Sequence, residues 1–139
     1  MGTSMTRRKQ REAIFILTFE SLFGQYTIDE IIELAEECGE VEVNDYVKNA
    51  VRTIGAHAEE IDARIEKKLV KWNKARISKV SLAIMRVSVF ETFYDKDVPL
   101  KVSINEAVEL AKQYAGEDEY AFINGVLGAV NSELEDTVK

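Results

Sequence analysis

The chain has 139 residues, 46% of them hydrophobic and 31% charged, with a net charge of -7. That balance is ordinary for a soluble globular protein and large enough for one compact core, and no apolar run approaches the roughly 18–20 residues of a membrane-crossing helix. The single cysteine, Cys38, excludes an intrachain disulfide and fits a reducing, cytoplasmic compartment.

Residues 1–5 read as a leader, disordered or a tag, and the fold is expected over 6–139. The N-terminus lacks the apolar core of a secretory signal. The first helix is predicted from Thr6 to Phe23, with Ala13, Leu17 and Ser21 or Leu22 facing inward and Gly24 as its stop. It opens on Arg7, Arg8, Lys9 and Arg11. A helix N-terminus carries partial positive charge, so each cation there is misplaced by about 0.3–1 kcal/mol. Cations concentrated where their own backbone repels them, in an acidic chain, point to an anionic ligand; the plain alternative is a solvated helix entry. Arg7 and Arg11 share a face, and Arg8 turns about 100° away. Phe15, Ile16, Phe19 and Phe23 make several faces of this helix apolar, which predicts a central helix or one that meets a partner.

Thr27 and Glu30 form a capping box for a second helix carrying Ile28, Ile31, Ile32, Ala35 and Cys38, closed by Gly39. Cys38 is expected to be buried. Asn44 caps a long third helix reaching Leu69, with Gly55 inside it as a site of close helix approach. His57, the only histidine, falls on this helix, so neither a His-based metal cluster nor a Ser–His pair is expected. Around Trp72 to Arg76 the pattern lapses, dividing the chain into halves of about 6–72 and 77–139. Ser78 caps a helix through Phe93 with Leu82, Met85, Val89 and Phe90 inward. Val98-Pro99 forces a non-helical link. Ser103 and Glu106 read as a second capping box. Gly116 ends that helix, and Asp118 caps the last one, whose Ile123, Val126, Leu127, Val130 and Leu134 point to the core. Asn124-Gly125 reads as tight helix packing, and Arg86 with Glu91 as an ion pair. No two-residue alternation argues for a strand, so the expected fold is all-α: a bundle of about six to seven helices in two three-helix halves.

Charge is unevenly spread. Residues 29–45 hold eight acids and no base, whereas residues 64–79 hold seven bases and one acid. Net charge therefore does not exclude nucleic acid, although a charge run is more often a solvated face.

Val80 to Glu91 (VSLAIMRVSVFE), Val98-Pro99, Val102 to Lys112 (VSINEAVELAK), Tyr114 and Phe122 to Leu127 (FINGVL) resemble the NusB family of bacterial transcription antitermination factors. Trp72, Arg76 and the basic start from Arg7 to Glu12 fit the same resemblance, which spans roughly Arg7 to Leu134. It implies an all-helical fold and an adaptor, not an enzyme, without metal or cofactor. The implied partners are NusE, also a small-subunit ribosomal protein, boxA RNA in nascent ribosomal transcripts, and the RNA polymerase antitermination complex. It places RNA on Arg7, Arg8, Lys9 and Arg11, with Phe122 beside it. Two positions depart from the usual pattern: Ala121 stands where many relatives have lysine, and Gly128 where they have aspartate. The first shifts charge duty toward Lys74, Arg76 or Lys79. A helical protein-binding scaffold without direct RNA recognition is the alternative function, and a homodimer that hides the RNA surface is the alternative assembly.

Overall fold

The structure is a computed structural model describing residues 5–39, 41–69, 77–95 and 97–138, with side chains to residue 133. Seven helices and no strand occur among the described residues: α1 (Arg7–Ser21), α2 (Ile28–Cys38), α3 (Asp45–Ala56), α4 (Ala58–Glu66), α5 (Lys79–Tyr94), α6 (Leu100–Tyr114) and α7 (Glu117–Val138). Trp72 and the expected boundary between halves lie outside the described residues, as do Lys74 and Arg76. Met5, read as leader, packs partly against the core.

Local chemistry sets most helix starts. Thr6 Oγ1 accepts from the Lys9 amide, Thr27 and Glu30 form the full capping box, Asn44 accepts from Val47, and Ser78 Oγ accepts from Ser81. Gly39 ends α2 with φ of 70°, a left-handed value that favours glycine. The long third helix is interrupted: His57 leaves helical geometry with φ of -111° and ψ of 19°, separating α3 from α4. Gly55 lies just before this break, and a Cβ there would stand 3.0 Å from Ile28 Cγ1, so α2 and α3 meet closely as expected.

The central helix is α5. It packs against α1, α3, α4, α6 and α7, and it buries nearly every residue from Ser81 to Glu91, well beyond the one stripe predicted. One continuous apolar cluster takes side chains from all seven helices. On α1, Ile14, Phe15 and Leu17 are buried, but Phe23 at its far end is 53% exposed.

Several expectations are corrected. Cys38 is exposed, because it lies on the last turn of α2, past the buried Ile31 and Ile32. Helix α6 starts at Leu100, directly after Pro99, so Ser103 is no cap; its hydroxyl is buried and donates to the Ser88 carbonyl at 3.1 Å. Asp118 lies in the first turn of α7 and does not precede it. Arg86 does not pair with Glu91, since five residues turn the two about 140° apart on a helix. It forks onto buried Asp62 of α4 at 2.7 and 2.8 Å. Gly125 marks no tight packing: a Cβ there would meet nothing within 4 Å.

Candidate nucleic-acid interface

Thr6 fixes where α1 begins, and the three residues that follow, Arg7, Arg8 and Lys9, stand exposed on its first turn. No acid shares that turn. The neutralising carboxylates come from elsewhere in the chain. Arg8 Nη2 and Nε donate to Glu106 of α6 at 2.7 and 3.0 Å, in the bidentate geometry that suits a planar guanidinium. The Arg8 side chain nevertheless keeps 72% of its surface in solvent. These hydrogen bonds hold the Glu106 carboxyl below the usual carboxylate range against the opposing effect of burial, with the Arg11 charge adding to them.

Arg11 has a different fate. It is only 6% exposed, its Nε donates to buried Glu91 of α5 at 2.7 Å, and its Nη1 reaches Glu106 at 3.4 Å. Burial pushes the Glu91 carboxyl up, and the Arg11 guanidinium opposes that. One helical turn beyond Arg7, α1 already faces the bundle, so the fourth cation is a core ion pair. The expectation that Arg11 contacts RNA is corrected accordingly: its guanidinium lies between carboxylates on α5 and α6, turned away from solvent.

An open groove of about 450 Å³ runs between α1 and α6. Arg8, Lys9 and Lys112 line it, together with Glu12 and Glu109. Glu12 accepts from the Tyr114 hydroxyl at 2.5 Å. That bond pushes the Tyr114 hydroxyl up to about 12, with burial adding to it.

Of the remaining expected residues, the two that are described, Lys79 and Phe122, do not line this groove. Lys79 Nζ lies 5.6 Å from the Phe23 ring, at the far end of a 15-residue helix that is about 22 Å long. Phe122 is half-buried and packs against the rim of the core. Sequence reasoning missed two members of the surface, Lys112 as a groove cation and Glu106 as the clamp on Arg8. Glu106 is 98 residues from Arg8, and no local spacing signals such a pairing. Among the described residues no group of three or more His, Cys, Asp or Glu side chains is placed to hold a metal ion. No helix among them is long and apolar enough to cross a membrane.

Fold and surface define a class: an all-α bundle whose first helix presents a cationic start beside an open groove. The chain belongs to the NusB family, whose pattern matches residues 8–132. It is 42% identical to the transcription antitermination protein NusB of Clostridium acetobutylicum over 134 residues, covering 95% of this chain and 99% of that protein. Among solved structures it is similar to T. maritima NusB, with TM-score 0.82 and 29% identity over 94% of each chain. A chain from a crystal structure of antitermination factors NusB and NusE in complex with dsRNA matches with TM-score 0.81 and 28% identity, covering 91% of this chain and 96% of that one.

Proposed function

We propose that this protein is a cytoplasmic RNA-binding antitermination factor that pairs with a NusE-type ribosomal protein. The pair takes boxA RNA of nascent ribosomal transcripts across the start of α1 and promotes read-through by RNA polymerase. The observation that carries this reading is the exposed triplet Arg7, Arg8 and Lys9 on a rigid helix start beside an open groove. Family membership and the similarity to a NusB chain solved with NusE and dsRNA support it. The protein works as an adaptor: cations track phosphates, planar side chains meet unpaired bases, and no bond is made or broken. Phe122 at the rim of the core serves as one such planar surface, Lys79 adds charge near the other end of α1, and Lys74 and Arg76, outside the described residues, add to the same basic run.

Phe23 and Tyr26, each 53% exposed, mark a separate corner just beyond the C-terminal end of α1. Exposed aromatics of this kind anchor protein interfaces, so this corner serves the protein partner while the helix start serves RNA.

Anisotropy titration of labelled boxA RNA against a scrambled control, with and without NusE and at two salt concentrations, tests the reading. Replacing Arg7, Arg8 and Lys9 together by Gln is expected to weaken RNA binding at least tenfold. The salt slope should fall by about 2, at roughly 0.7 per phosphate neutralised on a single strand. Melting should stay within 2–3 °C of the parent, as for roughly ±0.5 kcal/mol surface changes. Unchanged affinity at moderate salt would falsify the RNA assignment. Light scattering of the free protein checks for a homodimer that covers the groove.

A further inference from the structure

A small pocket lies where α1, α3 and α5 meet, lined by Arg7, Gln10 and Arg11 of α1, Tyr46 of α3 and Glu91 of α5. Its volume is about 10 Å³, close to the roughly 10–15 Å³ that one water molecule needs and too little for anything larger. Glu91 is only 3% exposed. Its Oε2 accepts from Arg11 Nε at 2.7 Å, whereas its Oε1 is buried and has no hydrogen-bond partner. We infer that the pocket is a binding site for a single ordered water molecule, which donates to Glu91 Oε1 and ties the first turn of α1 to α3 and α5.

The lining supplies what such a water requires, about three hydrogen-bonding neighbours. The Tyr46 hydroxyl gives its proton to Asp95 Oδ2 at 2.5 Å, so its lone pairs remain to accept the water's second proton. Gln10 Nε2 donates to the Met5 carbonyl at 3.0 Å, and its second N–H remains for the water oxygen. Arg7, with five N–H donors, lines the same pocket. Ser103 is the other hydroxyl beside Glu91, but its proton goes to the Ser88 carbonyl at 3.1 Å. One hydroxyl proton cannot serve Oε1 as well.

Charge selects a neutral occupant. A cation here would stand against the guanidinium groups of Arg7 and Arg11, and an anion against the Glu91 carboxylate. A molecule that both donates and accepts meets neither objection. Burial pushes the Glu91 carboxyl up, and a donor on Oε1 opposes that by stabilising the charged form. The site belongs to the fold itself, so neither RNA nor a protein partner is needed to fill it.

Water-oxygen magnetic relaxation dispersion of the free, full-length chain tests the site, because it counts waters that stay longer than the protein takes to tumble. Arg11→Met with Glu91→Met removes the unpartnered oxygen and its guanidinium together, and the amplitude should fall by one water. Ser103→Ala should leave the amplitude unchanged. Tyr46→Phe removes one acceptor and should shorten the residence time about fivefold, as for the loss of one ordinary hydrogen bond. A high-resolution crystal structure should show a water oxygen about 2.5–3.0 Å from Glu91 Oε1. Equal amplitudes in the parent and the double variant would overturn the site. If the double variant does not fold, the crystal structure decides: Oε1 bonded directly to Ser103 or Gln10, with no water between them, overturns it equally. Melting that rises with potassium chloride but not with choline chloride, and loses that difference in Glu91→Gln, would replace the water by a metal cation.

Discussion

At the scale of single residues, four neighbouring cations turn out to do two jobs. Arg7, Arg8 and Lys9 face solvent, and Arg11 faces the core. Replacing Arg11 by Met leaves Glu91 buried without its partner, and breaking a buried pair in this way costs roughly 3–5 kcal/mol. Urea denaturation should show that loss, and adding Glu91→Met should restore most of it, because two apolar side chains need no hydrogen bonds. A single Arg11→Met that melts with the parent would show the pair to be dispensable. The sequence could not separate Arg11 from its neighbours. Its four-residue spacing puts it on the same face of the helix as Arg7, but only at Arg11 is that face covered, by Glu91 of α5 and Glu106 of α6, 80 and 95 residues further on.

At the scale of elements, capping residues were legible because they act within one turn. Thr6, Thr27, Asn44 and Ser78 all cap where their side-chain chemistry puts them. Ser103 fails because Pro99 already starts the helix one turn earlier, and a serine inside a helix then finds another partner, Ser88. The glycines divide by environment in the same way. Gly125 sits mid-helix with open space where a Cβ would be, so Gly125→Ala should stabilise α7 by up to about 1 kcal/mol. Gly55→Val should destabilise by about 1–3 kcal/mol, because its side chain is driven onto Ile28. Thermal melting of the two variants checks both signs.

At the scale of the whole molecule, carboxyls held low by hydrogen bonds and nearby cations contribute to the acid flank of stability. Glu106 is held low chiefly by Arg8, Glu60 by Tyr94 and His57, and Glu133 by Lys68. A carboxyl whose folded pKa lies below its unfolded value stabilises the fold above that unfolded value, about 4.3 for Glu. The contribution disappears as pH falls through the folded value, so the melting temperature should drop below about pH 4.5, and Glu106→Gln should flatten part of that drop. Tyr114 works in the opposite direction. Its hydroxyl is pushed up to about 12 in the fold against about 10 unfolded, so the stability it contributes is complete below pH ~10 and lost as pH rises toward 12. Melting curves across pH 3–11.5 should show both flanks, and Tyr114→Phe should remove part of the alkaline one.

The all-α class, the starts of α1, α2, α3 and α5 and the cationic opening of α1 follow from the amino-acid order, because caps and three–four apolar spacing act over one or two turns. Partners remote in the chain belong to tertiary structure alone. Glu106 clamping Arg8, Glu91 withdrawing Arg11, Asp62 holding Arg86, and Lys112 meeting Tyr120 across a groove all depend on which helix faces join. That choice is made by the shared core around α5, and apolar burial is non-directional, so no short-range rule in the sequence announces which charges it brings together.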